Sequence, residues 1–226
     1  MKREEKHALS RQRILDAALQ EFSTRGYDSA SLNTVCAENG ISKGIIYHYF
    51  KDKDELYLYC VSECFGKLTH YLSGIREQMS GSIEHCLQAY FTARLRFFAD
   101  HPCYLGIFIS YALNPPVHLL PAIADARRCF DELNIAVLTA LLEGTTLRDG
   151  LQVPNLVEDF RMYLDYFNMR FKHALDAPHD PEQVLKNHEE RCYRQLSILL
   201  YGVLGHEHEN DEKRRSGIAP VHSKAF

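Results

Sequence analysis

The chain has 226 residues, and 46% of them are apolar, which is enough to build a substantial hydrophobic core. Its net charge is −4 at neutral pH, which excludes a protein that binds polyanions through a generally basic surface. The first 53 residues carry slightly more basic than acidic side chains, and the remainder is acidic. Binding to nucleic acid would therefore depend on cations placed locally.

The seven cysteines are odd in number, widely scattered and contain no CxxC pair. Nothing at the N-terminus resembles a signal peptide, and no apolar run approaches the ~20 residues of a membrane span. These features predict a reduced, cytoplasmic protein with free thiols and without a membrane partner.

Helical periodicity extends through almost the whole chain, and the sequence therefore predicts an all-α fold. Residues 1–9 are charged and are expected to be loose. A first helix is predicted from Ser10 to Arg25, with Gly26 ending it as the first residue after the C-cap. Its inner stripe consists of Ile14, Leu15, Ala18, Leu19 and Phe22.

Two short helices and the start of a long one are predicted next from their capping residues. Ser31 caps the second helix, Ser42 caps the third, and Asp52 caps the fourth, with Glu55 placed as in a capping box. The second helix ends at Gly40, so the two short helices are joined by a tight turn. Two such helices behind a longer supporting helix predict a helix-turn-helix.

The rest of the chain is predicted to be a larger helical domain, with breaks at Gly and Pro clusters. Further helices are expected at about 82–100, 102–113, 117–143, 155–175 and 181–204. The resulting division is a helix-turn-helix domain at 1–52, a larger helical domain at 53–205, and a disordered tail at 206–226.

The third helix has the features of a recognition helix. On a 3.6-residue period Ile46 and Phe50 share one apolar face, while Gly44, Tyr47 and His48 share another. A glycine inside a helix costs ~1 kcal/mol relative to alanine. Either Gly44 is a packing glycine, or it allows close approach to a groove wall or a phosphate.

The candidate DNA contacts lie in and around this helix. Lys43 could reach guanine or a phosphate, and Ile45 either touches a thymine methyl or covers the helix junction. Other residues would contact the phosphate backbone, although each could equally be an ordinary surface or capping residue. The full candidate set is Ser31, Asn33, Ser42, Lys43, Gly44, Ile45, Tyr47, His48 and Lys53.

The segment from Arg13 to Leu56 resembles the TetR family of bacterial transcription regulators. The resemblance rests on a set of residues at the family's spacing: Ala17, Ala18, Phe22, Gly26, Tyr27, Ser31, Val35, Gly40, Ser42, Gly44, Tyr47, Phe50, Lys53 and Leu56. Cys36, Asn39 and Ile45 depart from the usual pattern, which affects base preference rather than fold. The resemblance covers about a quarter of the chain.

The resemblance implies a homodimer that binds a palindromic double-stranded operator and represses transcription until a small-molecule effector releases it. The last two long helices of each subunit would form a four-helix interface. Their apolar stripes are Phe160, Tyr163, Leu164, Phe167 and Phe171 on one helix, and Leu196, Leu199, Leu200 and Val203 on the other. The alternative is that these residues belong, at least in part, to the intramolecular core.

The family also implies an effector pocket in the larger domain, where aromatic residues are dense. An aromatic stripe is more often core than ligand site, and both interpretations remain open here. The candidate ligand-binding residues are Phe91, Arg94, Phe98, Tyr104, Phe108, Tyr111 and Phe167.

No metal, cofactor or catalytic site is predicted. Cys60 and Cys64 lie four residues apart on the fourth helix, but they are expected to be small buried apolar groups, and 206–208 (His-Glu-His) has no second set of ligands nearby. No phosphate-binding glycine loop, nucleophile elbow or HExxH motif is present. The alternatives are a helical ligand-binding or interaction protein whose helix-turn-helix no longer binds DNA, and an unrecognised helical enzyme.

Overall fold

The computed structural model describes residues 3–173 and 180–203 and confirms the all-α prediction. Nine α-helices and one short 3₁₀ turn (Val117–Leu119) make up the secondary structure of this described part. In chain order the helices are α1 (Arg3–Ser29), α2 (Leu32–Asn39), α3 (Lys43–Tyr49), α4 (Lys53–Glu77), α5 (Ile83–Asp100), α6 (Pro102–Leu113), α7 (Leu120–Glu143), α8 (Val153–His173) and α9 (Pro181–Val203).

Helix α1 differs from its prediction at both ends. It begins at Arg3, so the expectation that residues 1–9 are loose is wrong for the described residues 3–9. Gly26 interrupts the helix as predicted, with φ 68° and ψ 176°, but one further helical turn follows and ends at Ser29. The early start has a physical reason, because His7 contacts Tyr49 at the end of α3.

The remaining helix boundaries follow the predicted breaks closely. Ser82 caps α5, and its hydroxyl accepts a hydrogen bond from the backbone N–H of His85 at 3.2 Å. The expected helix at 117–143 is divided into the 3₁₀ turn and α7, with Pro121 in the first turn of α7. The predicted residues 174–175, 204–205 and the tail at 206–226 lie outside the described residues.

Helix α4 runs through the core and connects the N-terminal helices to the rest of the chain. Its inner face is fully buried at Leu56, Tyr57, Cys60, Val61, Cys64, Phe65, Leu68 and Leu72, which repeat with helical period. Burial of these side chains, at about 25 cal/mol per Å² of apolar surface, stabilises the packing of α4 against the N-terminal helices and against the larger domain.

Helix α1 crosses α6 at very short distance. A Cβ atom added at Gly106 would lie 2.5 Å from the backbone oxygen of Ser23, so only glycine permits this crossing. The N-terminal helices are therefore packed directly against the larger domain.

The apolar stripes predicted for α8 and α9 are largely internal. Phe160, Leu196 and Leu200 are buried in a cluster within the chain, so their assignment to a dimer interface is wrong. Tyr163, Leu164, Phe167, Leu199 and Val203 are half-buried, and the side chain of Phe171 lies outside the described residues. The exposed large apolar residues of these helices are Met162 and Tyr166 on α8 and Ile198 and Tyr201 on α9.

Candidate nucleic-acid interface

The turn between α2 and α3 is fixed by backbone geometry and by one arginine. Gly40 adopts a left-handed conformation (φ 59°, ψ 37°), and the backbone N–H of Ile41 donates to the oxygen of Cys36 at 3.0 Å. Arg13 of α1 donates to the backbone oxygen of Asn39 at 2.5 Å. The turn is thereby held against the supporting helix.

The start of α2 is capped by Ser31, as its sequence predicts. The Ser31 hydroxyl accepts from the backbone N–H of Asn33 at 3.2 Å, and the Ser31 N–H donates to the buried Glu21 carboxylate at 2.9 Å. Asn33 is exposed at the first turn of the helix. Both residues are placed where a helix N-terminus can meet a phosphate.

Helix α3 is anchored by two buried residues and presents the opposite surface to solvent. Ile46 and Phe50 are buried, and the Ser42 hydroxyl accepts from the backbone N–H of Ile45 at 3.4 Å. Ile45 is 44% exposed and Tyr47 is 53% exposed. Lys43, Gly44 and His48 are also exposed, so the outward surface of α3 consists of the residues predicted to contact DNA.

Gly44 has no packing role within the chain. A Cβ atom added there would meet no other atom within 4 Å. The exposed glycine therefore leaves an open helix surface that a ligand backbone can approach closely.

His7 was missed in the sequence interpretation. Its ring centroid lies 5.8 Å from that of His48, and the Tyr49 hydroxyl lies 3.0 Å from its Nδ1. The signal was available, because position 7 continues the spacing of Arg11, Ile14 and Ala18 toward the N-terminus. The first turns of α1 thus support the C-terminal end of α3.

The N-terminus of α4 is capped as predicted, with a small difference. The Asp52 carboxylate accepts from the backbone N–H of Glu55 at 2.9 Å, and the Glu55 carboxylate accepts from the N–H of Lys51 at 2.5 Å rather than from Asp52. Lys53 Nζ lies 4.5 Å from the Tyr27 ring centroid and donates to the backbone oxygen of Asp28 at 3.4 Å. Lys51 Nζ lies 4.0 Å from Asp52 Oδ2, but the Lys51 side chain is 88% exposed, so it is the less constrained of the two cations.

A polar network joins these N-terminal helices to the segment that precedes α7. The Tyr27 hydroxyl donates to Asp54, and Nε2 of His118 lies 3.0 Å from the other oxygen of the same carboxylate. The hydrogen bond from Tyr27 lowers the pKa of Asp54, assisted by His118 and Lys53 against a smaller effect of burial. The Asn114 side-chain amide, just after α6, also donates a hydrogen bond to the Asp28 carboxylate of α1 at 3.0 Å.

A family model described as bacterial regulatory proteins, tetR family, matches residues 14–60, which include the whole helix-turn-helix. This segment of the chain is the helix-turn-helix of the TetR family.

Curated relatives agree with this assignment. The transcriptional repressor AcnR of Corynebacterium glutamicum is 35% identical over 77 residues, which are 33% of this chain and 41% of that protein. The transcriptional regulator BetI of Pectobacterium atrosepticum is 26% identical over 187 residues, or 74% of this chain and 96% of that protein. The match spans only about two-fifths of the length of several curated relatives, including AcnR and YerO of Bacillus subtilis (37%).

Solved structures show that the similarity in fold extends beyond the helix-turn-helix. The regulator FadR from Bacillus subtilis, in complex with stearoyl-CoA, superposes with a TM-score of 0.59 at 16% identity, covering 80% of this chain and 97% of that chain. Reduced NemR from Escherichia coli superposes with a TM-score of 0.56 at 16% identity, covering 81% and 94%. The larger domain therefore has the TetR-family architecture.

The seven candidate ligand residues of the larger domain lie in or beside the core. The Phe98 and Phe108 rings are buried 4.8 Å apart, and the Phe91 ring packs edge-on against Tyr193. The polar members are paired: Arg94 with Glu189, Tyr104 with Glu63 at 3.0 Å, and Tyr111 with Arg127. Phe167 is half-buried beside the His188 ring. Their role in ligand binding stays a prediction.

A surface cleft of about 440 Å³ lies elsewhere, between the C-terminal half of α4 and α5. Tyr71, Ile75 and Met79 of the first helix and its following turn face Ala89, Thr92 and Arg96 of the second. None of the seven candidate ligand residues lines this cleft.

Cys60 and Cys64 are buried, and burial raises the pKa of both thiols well above its ordinary value. Both side chains therefore stay protonated at neutral pH, which disfavours nucleophilic and redox chemistry. Among the residues that the structure describes, no three His, Cys, Asp or Glu side chains come together as a potential metal site. Within residues 3–173 and 180–203, no single helix has the length and apolar character needed to cross a membrane. The motif at 206–208 lies outside the described residues.

Proposed function

We propose that the protein is a cytoplasmic, homodimeric transcriptional repressor that binds a palindromic double-stranded operator and is released by a small-molecule effector. The observation that supports this most directly is the surface of α3. Large side chains such as Ile45 and Tyr47 remain exposed beside an open glycine, while Ile46 and Phe50 hold the helix from behind. A seven-residue helix whose sequence served stability alone would carry polar residues on its solvent-exposed surface.

Each exposed residue of α3 has a chemical role at a DNA groove. The Lys43 ammonium can donate to guanine or to phosphate, and Ile45 can contact a thymine methyl. The Tyr47 hydroxyl and the His48 imidazole can donate to phosphate oxygens, which position the helix without specifying sequence. Gly44 allows the backbone to approach the groove.

Phosphate contacts on either side of α3 would complete the docking surface. The capped N-termini of α2 and α3 place Ser31, Asn33 and Ser42 beside free backbone N–H groups. Lys53 belonged to the predicted set, but its ammonium is directed to Tyr27 and Asp28. We infer that Lys51 makes the main cationic contact at the start of α4.

The homodimer is proposed to form through the exposed stripe of α8 and α9, namely Met162, Tyr166, Ile198 and Tyr201. Two helices from each subunit would then build a four-helix interface around a twofold axis. The two copies of α3 would lie about 34 Å apart, or a multiple of it, to read successive turns of DNA.

The polar network of Tyr27, Asp54 and His118 offers a route from the larger domain to the helix-turn-helix. Asp54 lies on α4, which is buried against both regions. An effector that favours another position of α4 would change the separation of the two recognition helices. DNA must then weaken effector binding by the same factor.

The proposal is tested by electrophoretic mobility shift on DNA from upstream of the protein's own gene, with excess random DNA as competitor. A specific shift with steep salt dependence is expected. Replacing Tyr47 by alanine should abolish it, whereas Ile135→Ala, which changes an exposed apolar residue on α7, should leave it intact. If the Tyr47 variant shifts the DNA as strongly as the wild type, α3 is not the recognition helix.

A further inference from the structure

Two exposed histidines from different helices meet beside the outward surface of α3. His7 lies near the start of α1 and His48 near the end of α3, and their ring centroids are 5.8 Å apart. Both side chains are exposed. His48 shares a helix face with Gly44 and Tyr47, so α1 brings a second imidazole to the surface that is proposed to dock on DNA.

Tyr49 fixes the orientation of the His7 ring. Its hydroxyl lies 3.0 Å from Nδ1 of His7 and donates to the backbone oxygen of the same residue at 3.2 Å. A hydroxyl has a single proton, so the Tyr49 oxygen accepts the second of these bonds from the N–H at Nδ1. Nε2 of His7 is therefore the nitrogen that gains or loses a proton and that is available to a ligand.

Neither imidazole is paired with a carboxylate of the protein. Among the described residues, the histidines that form ion pairs are His118 and His188, both in the larger domain. Arg11 is directed away from the two rings, because its Nη1 donates to the Tyr59 hydroxyl at 2.9 Å. The charged groups of the surrounding helices are Glu5 and Arg11 on α1, Lys43 on α3, Lys51 after it, and Glu55 on α4, whose carboxylate accepts from the N–H of Lys51.

We propose that His7 and His48 form a clamp that binds one backbone phosphate of the DNA when both imidazoles are protonated, so that DNA binding takes up protons. A protonated imidazole gains an N–H donor, and charge-assisted hydrogen bonds to phosphate are about 2.8 Å long. Rings at this separation can reach the two non-bridging oxygens of a single phosphate. The inference rests on the proposed function, since it adds a residue of α1 and a pH dependence to the DNA surface.

The closeness of the two rings is the reason for the uptake of protons. Two positive charges at this separation repel each other in the free protein, which disfavours the doubly protonated clamp. A phosphate placed between them has the opposite charge and offsets that repulsion. The bound protein then carries more protons than the free protein, so affinity for DNA rises as the pH falls through the range in which histidine titrates.

A phosphate contact carries no sequence information, which gives the clamp a second signature. The pH should change the affinity for specific and for random DNA by the same factor. A histidine that read a base edge would instead change the affinity for the specific site alone.

The full-length protein is titrated, with fluorescence anisotropy as the readout, against labelled DNA from upstream of its own gene and against a labelled random duplex. Each titration is made at about pH 6 and about pH 8 over a range of salt concentrations. Both duplexes should bind about 10-fold more tightly at the lower pH, since hydrogen bonds to charged groups are gained. The slope of log affinity against log salt should be steeper there by about 0.9, because one more phosphate is neutralised.

Two double variants separate the clamp from other histidines. His7→Gln/His48→Gln should remove both the pH effect and the change in salt slope. His70→Gln/His85→Gln removes two exposed histidines of the larger domain and should keep both effects. If the first variant does not give the wild-type circular dichroism spectrum, His48→Gln alone replaces it, and the pH effect should again decrease.

Several outcomes would overturn the inference. Affinity that does not change with pH would refute it, and so would a pH effect that survives in His7→Gln/His48→Gln, because another group such as His118 would then be responsible. A pH effect on the upstream DNA alone would refute the assignment to phosphate. The proposed function fails separately: equal affinity for upstream and random DNA refutes the sequence-specific regulator, while a pH effect on both duplexes still supports the clamp. Absence of binding to either DNA refutes both.

Discussion

Replacement of Gly44 by alanine should change protein stability and DNA affinity in opposite directions. The new methyl group meets no atom within 4 Å, so the folded chain loses nothing and gains up to ~1 kcal/mol of helix stability. At the DNA surface the same methyl holds α3 away from the groove. Weakening one good base contact costs ~1–3 kcal/mol, which corresponds to about 5- to 150-fold in affinity.

Gly66 provides a matched control, because it is an exposed glycine within α4 whose added Cβ would also meet no atom within 4 Å. Urea unfolding followed by circular dichroism should show both variants at least as stable as the wild type. Fluorescence anisotropy with labelled operator should show weaker binding for Gly44→Ala and unchanged binding for Gly66→Ala. Equal operator affinity for the two variants would refute the assignment of Gly44 to a point of close approach.

Three further predictions concern other parts of the chain. Lys51→Ala should lower the slope of log affinity against log salt by about 0.9, whereas Lys53→Ala should leave the slope unchanged and remove a cation–π contact of about 0.5–1 kcal/mol; similar slopes for both would contradict the distinction. Gly106→Ala should destabilise the fold by about 1–3 kcal/mol in urea unfolding, because its methyl collides with the backbone of α1, and Gly74→Ala, which meets no atom within 4 Å, should not destabilise it. The lowered pKa of Asp54 contributes stability that is present above its unfolded pKa near 4 and is lost as pH falls through its folded value; Asp54→Asn should therefore weaken the acid dependence of unfolding below about pH 4, and an unchanged profile would contradict this.

The helix-turn-helix could be predicted almost completely from the sequence because its determinants are local. Ser31, Ser42 and Asp52 cap helices by bonding to backbone groups two or three residues away, and the structure contains each of these hydrogen bonds. The buried positions of Ile46 and Phe50 follow directly from the helical period. Capping hydrogen bonds and helical periodicity involve residues only a few positions apart, so the sequence is sufficient to predict them.

Features that depend on distant partners could not be predicted in the same way. Lys53 is directed to Tyr27, which lies 26 positions earlier in the sequence, and no local pattern reports that contact. Helices α8 and α9 carry more apolar residues than one face can hold, so the sequence could not distinguish Phe160, which is internal, from Tyr166, which is exposed. The candidate ligand residues have the same ambiguity, since aromatic side chains fill a core and line a cavity equally well.

The contact between Gly106 and Ser23 has a mechanical consequence for regulation. Two helices whose backbones touch without an intervening side chain cannot slide past each other or separate without losing that contact. Further contacts join the same two helices and the residue after α6, because Cys103 donates to Gln20 at 3.6 Å and Asn114 donates to Asp28 at 3.0 Å, so a displacement of α6 would carry α1 with it. A small tilt at this contact is magnified with distance along α1, so that slight adjustments inside the body would become large displacements at the far end of the molecule.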